Sequence, residues 1–173
     1  MKTLGLAVVT FLVLASSFAQ KRATDVFVMD GDNRVQMKYS LADSRGSHNV
    51  LAAKIYHTLN GQKSDLRIKT NAPQFLFYSD PAEKLGDILI RFDVKSDRRE
   101  IRWIKATSTG STSSLPKDHV IDVKIEEVSS EPGARRMNLY RVTPTSPLPP
   151  GEYCLVLHRV FFFDFGIDGK PKS

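Results

Sequence analysis

The sequence predicts an all-β fold, a single antiparallel β-sandwich of about eight to ten short strands. Three observations predict it. Apolar and polar residues alternate with a period of two in several segments, clusters of turn-forming residues separate these segments, and no long stretch carries a convincing helical period. Many short strands separated by turns are typical of packed antiparallel sheets.

The alternation is clearest in two segments. In Ile88–Lys95 and in Ile121–Glu126 every second residue is apolar, so one strand face enters a core and the other meets water. Val26–Met29 and Val35–Tyr39 flank the turn cluster Asp30–Asn33, which predicts a hairpin. Further strands are predicted at Lys54–Leu59, Leu66–Lys69, Gln74–Tyr78, Glu100–Ile104, Met137–Val142, Tyr153–Leu157 and Val160–Phe165.

Turn-rich connectors separate the predicted strands. Thr107–Ser114 consists of small and polar residues, Ser129–Arg136 contains a Pro-Gly pair, and Thr143–Gly151 carries four prolines. The first two are predicted loops and the third is a predicted stiff, extended crossover. Val50–Leu59 fits both a helical stripe and a strand, and a strand is favoured for its second half. No repeat or second domain boundary is visible, so residues 20–173 are predicted to form one domain.

The first nineteen residues, 1–19, carry the pattern of a signal peptide. The chain starts with Met-Lys, Leu4–Ala15 is an apolar run, and Ser17 and Ala19 are small residues at the −3 and −1 positions of a cleavage site. The exported chain is therefore expected to begin at Gln20 and to be periplasmic or secreted. The alternative is a retained anchor, but the run is short for a bilayer and no later run approaches transmembrane length.

Composition limits the classes of partner. Without Lys2, which lies in the predicted signal peptide, 24 basic and 19 acidic side chains leave a net charge of +5. This moderate excess favours solubility, and nucleic acid is not an expected partner. The chain has one cysteine and no Asn-x-Ser/Thr site, which favours a bacterial envelope over a eukaryotic secretory route.

A tyrosine follows a proline-stiffened turn near the end of the chain. The segment Leu148–Tyr153 reads LPPGEY, and an apolar run with the letters DFG at Asp164–Gly166 follows it. The first segment resembles the LxPGxY motif of bacterial immunoglobulin-like and transthyretin-like modules, and the pair resembles the carboxy-terminal PGEY…DFG segment of uncharacterised exported bacterial proteins. The resemblance covers about the last quarter of the chain, implies an immunoglobulin-like sandwich, and implies no activity. In such sandwiches a tyrosine near the start of the penultimate strand bonds to the backbone of the preceding crossover, the role expected of Tyr153.

Motifs of known enzymes are incomplete in this sequence. Asp164–Gly166 matches the magnesium-binding letters of protein kinases, but neither a glycine-rich nucleotide loop nor an upstream catalytic Asp accompanies it. It is interpreted as the end of an apolar strand. No Gly-x-Ser-x-Gly elbow occurs, and the four histidines form no metal-ligand pair in sequence. No catalytic residue, cofactor-binding residue or metal ligand is therefore assigned.

The turn that begins at Asp30 invites comparison with a calcium loop. An EF-hand loop needs glycine at its sixth position and glutamate at its twelfth, where this chain has Val35 and Leu41. A plain turn is the favoured interpretation. A looser calcium site that uses Asp30, Asp32 or Asp168 stays open.

Basic residues cluster in the presumed hairpin Ile88–Lys105, with a tryptophan among them. Such a ribbon could meet an acidic partner, a lipid headgroup layer or a polyanion. The more ordinary interpretation is a solvated edge hairpin whose charges prevent aggregation. The residues of this possible binding face are Arg91, Lys95, Arg98, Arg99, Arg102, Trp103 and Lys105.

Cys154 follows Tyr153 in an apolar strand, and both are interpreted as structural residues. A thiol in such a strand usually behaves as a small buried hydrophobic group. The alternative is an exposed thiol with a redox or dimer-linking role.

The function favoured by elimination is that of an exported, non-enzymatic β-sandwich that binds or assembles with a protein or a polymer of the bacterial envelope. The alternative is a small hydrolase of an envelope or extracellular polymer, with carboxylates or histidines gathered from separate loops. A cleft in which at least two acidic or histidine side chains converge favours the enzyme, and a flat apolar or basic patch favours the module.

Overall fold

The computed structural model describes residues 25–49, 52–80, 85, 88–107, 110–113, 115–130 and 137–169. All the regular secondary structure in these ranges is β-strand, which confirms the all-β fold. No helix in the described part of the chain is long and apolar enough to cross a membrane. The predicted signal peptide, residues 1–19, lies outside the described residues.

Fourteen strands lie within these ranges, more than the eight to ten expected. Several are only two to four residues long, too short for an alternation pattern to reveal. In chain order the strands are β1 (Val26–Asp30), β2 (Asn33–Met37), β3 (Asp43–Asn49), β4 (Ala52–Asn60), β5 (Arg67–Ile68), β6 (Gln74–Ser79), β7 (Leu89–Arg91), β8 (Asp93–Val94), β9 (Arg98–Thr107), β10 (Gly110–Ser113), β11 (Val123–Ser130), β12 (Asn138–Pro144), β13 (Gly151–Leu157) and β14 (Phe161–Ile167).

Hydrogen bonding joins the strands into three sheets. Sheet 1 has the order β11-β12-β6-β1-β2, sheet 2 has the order β5-β14-β13-β7, and sheet 3 has the order β10-β9-β4-β3, with β8 also paired to β9. Neighbouring strands are antiparallel except β5 and β14, which are parallel. This strand order does not establish the immunoglobulin-like type, which has two sheets and stays a prediction.

Sheet 2 lies between the other two sheets, because its two faces belong to different hydrophobic cores. Tyr153 of β13 belongs to the first core together with Phe75 of sheet 1. The next residue, Cys154, belongs to the second core together with Ile101 of sheet 3. Six of the seven residues of β13 are buried, as expected for a strand covered on both faces.

Strand β14 divides its aromatic residues between the two cores. Phe163 and Phe165 enter the first core, and Phe162 enters the second. This confirms the division of faces expected from alternation along the strand. Asp164 lies on the same face as Phe162, so its carboxylate is directed toward the sheet 3 side.

The proline-rich crossover before β13 is bonded to the side chain of Tyr153. The hydroxyl of Tyr153 donates a hydrogen bond to the carbonyl of Pro149 at 2.6 Å, and the residue is fully buried. Its ring stacks on Phe165 with centroids 5.5 Å apart. Leu148, in the same crossover, is buried, and its N–H donates to the carbonyl of Asn71 at 2.7 Å. These contacts hold the crossover against the start of β13.

The segment Ile88–Lys105, expected to form one hairpin, is divided between two sheets. β7 pairs with β13 in sheet 2, whereas β8 and β9 pair in sheet 3. Phe92 lies between β7 and β8 in the second core, and its N–H donates to the carbonyl of Glu152 at 2.9 Å. Alternation did not reveal this change of sheet, because it shows which side chains share a face and not which sheet pairs with the strand.

Two polar strands were not predicted. β10 pairs with the end of β9 where Thr107–Ser114 was expected to be a loop, although residues 108–109 and 114 lie outside the described part. β3 pairs with β4, yet residues 43–47 are all exposed and offer no apolar face as a signal. Most of the predicted loop Ser129–Arg136, residues 131–136, also lies outside the described residues.

Candidate functional site

A connected network of charged side chains lies on the face of sheet 2 that is turned toward sheet 3. Glu152 of β13 and Asp164 of β14 lie on this face. Glu152 pairs with Arg67 of β5 in the same sheet, and Asp164 pairs with Arg99 of β9 in sheet 3. Few carboxylates are buried in proteins unless a partner neutralises them, so the pairing accounts for their position. The five members are Arg67, Arg99, Glu152, Asp164 and Asp168.

Arg99 is the buried cation of this network. Its Nη1 donates to Asp164 Oδ2 at 2.6 Å and lies 3.7 Å from Glu152 Oε2, while its Nη2 donates to the carbonyl of Asn60 at 3.2 Å. The side chains of Arg99 and Asp164 are only 6% and 12% exposed. Arg99 Nε is buried and has no hydrogen-bond partner among the described residues. The guanidinium is therefore neutralised by its neighbours while one of its donors stays unpaired.

Arg67 links Glu152 to the surface. Its Nη1 donates to Glu152 Oε1 at 2.5 Å, and its Nη2 and Nε donate to the two oxygens of Asp168 at 2.7 and 3.3 Å. Burial alone would lower the pKa of the guanidinium, but the bonds to Asp168 and Glu152 raise it above its ordinary value. The same pairing holds the pKa of Asp168 below its ordinary value. Glu152 also accepts a hydrogen bond from the N–H of Ser64 at 2.8 Å.

Gly166 makes room for Arg67. A Cβ atom at position 166 would lie 1.5 Å from Arg67 Nη1, so the guanidinium rests directly on the backbone of β14. Glu152 stands opposite Gly166 in the register of β13 and β14. In the segment Asp164–Gly166, Asp164 therefore accepts the ion pair with Arg99, Phe165 packs in the first core, and Gly166 leaves space for the guanidinium of Arg67.

A groove of about 670 Å³ opens next to this network. Arg99 and Asp164 lie in its lining, with the segment 38–41 contributing to one part and residues 58–60 and 63–66 to another. This volume falls within the range of roughly 300–1,000 Å³ that is typical of ligand sites. Tyr39 and Leu41 are 48% and 68% exposed, so apolar surface reaches solvent where the segment 38–41 borders the groove.

The edge of β14 that does not face β13 is bonded to other segments on either side of a single residue next to the groove. Ser40 forms a bridge with Phe162 through hydrogen bonds of 2.8 and 3.2 Å, and the N–H of Gly166 donates to the carbonyl of Leu66 at 2.9 Å. Outward backbone groups alternate along a strand, so Asp164 is the outward residue between these two attachments. Among the described residues, Asp164 is therefore the one position of this edge that lies between the two attachments.

The predicted basic residues whose side chains are described do not share one surface. Arg91 lies on β7 in sheet 2, where its Nη2 donates to the carbonyl of Pro150 at 3.3 Å. Lys95 follows β8 and Arg98 begins β9, and both pair with Glu100, at 3.6 and 2.8 Å. Arg98 also contacts Asp97 at 2.7 Å. Acidic neighbours thus offset the charge of Lys95 and Arg98.

The remaining residues of that set lie along β9. Arg99 is buried in the charged network, and Trp103 packs against the second core beside His57 and Phe162. Arg102 is half-buried. Lys105 lies on the same strand, but its side chain is outside the described part of the structure.

Two of the three aspartates considered for calcium have other partners. Asp30 Oδ1 accepts hydrogen bonds from the N–H groups of Lys69 and Thr70, both at 2.9 Å, so it fastens the hairpin turn to the β5 segment. Asp168 is held by Arg67, and Asp32 is exposed. Among the described residues, no group of three or more acidic, histidine or cysteine side chains is arranged to hold a metal ion.

Cys154 should react slowly with a thiol reagent in native buffer and rapidly in denaturant. It is fully buried, and burial, followed by the nearby charge of Asp164, raises the pKa of its thiol well above the ordinary value. The thiolate is the reactive form, so both access and ionisation oppose labelling. Timed alkylation followed by intact mass measures this. Rapid labelling of the native protein would instead support the redox or dimer-linking role.

Lowering the pH below about 6.5 should destabilise the fold through His57. Burial lowers the pKa of His57 from 6.5, so the unfolded chain binds this proton more readily than the folded chain. Stability is therefore lost as the pH falls from 6.5 toward the folded pKa. Denaturant midpoints at pH 7 and at about pH 5 should differ more for the parent than for His57→Phe.

Asp168→Asn is the matched control for that experiment. The pKa of Asp168 is lowered from 3.8, so its contribution is lost only at more acidic pH and the variant should keep the drop seen in the parent. An equal drop in the parent and in His57→Phe would show that His57 is not the group responsible.

Comparison of the chain with known protein families, with curated proteins and with solved structures finds no match. A function depends on a site and its chemistry, and the groove beside the charged network is a candidate site among the described residues. Sequence reasoning missed this groove, because its lining comes from separate segments that carry no motif. The one local signal was Asp164, a carboxylate within the apolar run Phe161–Phe165.

Proposed function

We propose that the protein is an exported binding module of the bacterial envelope, and that its groove receives part of a protein or of an envelope polymer. The observation that supports this most directly is a groove of about 670 Å³ with a fixed ion pair, Arg99 and Asp164, in its lining. Buried, mutually bonded side chains are held in place before a ligand arrives, which lowers the entropic cost of binding.

A small hydrolase is the second candidate, and one observation favours it. Asp43, Asp65 and Asp164 all line the groove. Glycosidases use two carboxyl groups, one of which is adapted as an acid by a buried, apolar setting. Here Asp43 and Asp65 are exposed, and Asp164 accepts a 2.6 Å hydrogen bond from Arg99. The setting of these three groups therefore fits binding better than acid catalysis.

Affinity capture from the native envelope tests the proposal. The exported parent should retain a partner that Asn60→Trp loses, because Asn60 is an exposed residue of the groove lining and an indole there would obstruct it. Val128→Trp is the matched control, since Val128 is 43% exposed on β11 and lies outside the groove lining. Denaturant midpoints should show that all three proteins are folded.

Three results would contradict the proposal. A partner retained equally by Asn60→Trp would place binding elsewhere on the surface. No retained partner for the parent would remove the basis for a binding module. Release of fragments from the envelope polymer by the parent, but not by Asn60→Trp, would establish the hydrolase instead.

A further inference from the structure

The groove lining is balanced in charge, unlike the chain as a whole. It contains three cations and three carboxylates, although the whole chain carries a formal net charge of +6. A ligand with a large charge of either sign would meet like charges as well as opposite ones. The charged residues are Lys38, Lys63, Arg99, Asp43, Asp65 and Asp164.

The charges of Arg99 and Asp164 in the groove lining already neutralise each other. Arg99 is bonded to Asp164 and approached by Glu152, so an added carboxylate or phosphate would compete with these groups and be repelled by them. A guanidinium and a carboxylate each have more hydrogen-bonding positions than the two groups use between them, so uncharged hydroxyl groups can still bond to the pair. This combination favours a neutral, hydrogen-bonding ligand.

The border of the groove adds an aromatic surface. The ring of Tyr39 meets the rings of Phe161 and Phe163 edge to face, with centroids 5.1 and 6.3 Å away. These contacts orient the ring, while about half of the residue stays exposed. Ser40, Thr58 and Ser64 line the same groove. The hydroxyl of Thr58 donates to the carbonyl of Asp43, and the hydroxyl of Ser64 accepts from the N–H of Leu66, both at 3.3 Å. Hydroxyls and amides can serve as both donors and acceptors, as a ligand rich in hydroxyls requires.

An extended peptide fits this edge poorly. Peptides that add to a sheet need a row of free N–H and C=O groups along a strand edge. β14 offers only Asp164, because Ser40 and Leu66 occupy the positions on either side. A bound strand would have to displace one of these attachments.

We propose that the groove binds an uncharged oligosaccharide. The apolar C–H face of one sugar ring lies on Tyr39, and hydroxyl groups exchange hydrogen bonds with the Arg99–Asp164 pair and the groove hydroxyls. The proposal rests on the proposed function and names the chemical class of the ligand that the same groove receives.

Calorimetric titration of the exported protein with chito-, cello- and malto-oligosaccharides tests the proposal. At least one of these neutral series should bind, with a Kd that changes little between low and high salt because no net charge is neutralised. Tyr39→Ala should weaken that binding about tenfold or more, the loss expected for one aromatic contact. Tyr39→Phe should retain it. Val94→Ala, at a 49% exposed position outside the groove lining, should leave it unchanged.

The outcomes separate this inference from the proposed function. If none of the three neutral series binds, while capture still yields a partner that Asn60→Trp loses, the ligand belongs to another class and only this inference fails. Stronger binding of uronic-acid oligosaccharides that weakens with salt would also overturn it. Saccharide binding that survives in Tyr39→Ala would contradict the assigned position. If capture yields no partner and no saccharide binds, both proposals fail.

Discussion

Asp164→Ala should lower the free energy of unfolding by about 3 kcal/mol or more, because removing one member of a buried ion pair leaves the other charge uncompensated. Asp164 is the nearest carboxylate to Arg99, at 2.6 Å, and both side chains are largely excluded from water. Glu152 is farther from Arg99, at 3.7 Å, and is already bonded to Arg67. It can offset only part of the loss. Denaturant unfolding monitored by circular dichroism measures the change.

Two variants make this experiment specific. The double variant Asp164→Leu with Arg99→Met removes both charges and should recover much of the stability, since apolar replacement of a buried pair is often neutral or stabilising. Glu126→Ala is the matched control, because the Lys124–Glu126 pair is also within hydrogen-bond distance, at 2.8 Å, but exposed. It should have no measurable effect. An Asp164→Ala variant as stable as Glu126→Ala would show that the pair is solvated in solution.

The parts of the fold that the sequence predicted depend on local patterns. The β1–β2 hairpin follows from two apolar segments around a turn, and Val28 pairs with Val35 across it. The contact of Tyr153 with Pro149 spans only four residues, so a proline-stiffened turn is enough to indicate it. The segment 88–105 was predicted less well, because alternation shows which side chains share a face and not which sheet receives the strand.

The charged network could not be predicted, because its members are far apart in sequence. Arg67 and Asp168 are separated by 101 residues, and Arg99 and Asp164 by 65. In the sequence, Arg99 lies among basic residues that were expected to be exposed. No local pattern distinguishes it from Arg98, which pairs with Asp97 and Glu100. Only the packing of β9 against sheet 2 buries Arg99 and makes it part of the groove.

Tyr153→Ala should lower the free energy of unfolding by roughly 3–5 kcal/mol, the scale of buried aromatic truncations. Tyr153 is fully buried in the first core, where its ring stacks on Phe165. Burial also raises the pKa of its hydroxyl, so the group stays protonated and able to donate at neutral pH. Losing the ring removes core packing, and losing the hydroxyl removes the bond that holds the crossover before β13.

Tyr153→Phe separates these two contributions, because it keeps the ring and removes only the 2.6 Å bond to Pro149. Its expected cost is about 1 kcal/mol, or up to about 3 kcal/mol if the carbonyl is left buried and unpaired. Denaturant midpoints should therefore rank the parent above Tyr153→Phe and Tyr153→Phe above Tyr153→Ala. Equal stability of all three proteins would mean that the crossover does not depend on Tyr153. Equal losses for the two variants would assign the whole effect to the hydrogen bond, and the stacking on Phe165 would then contribute nothing measurable.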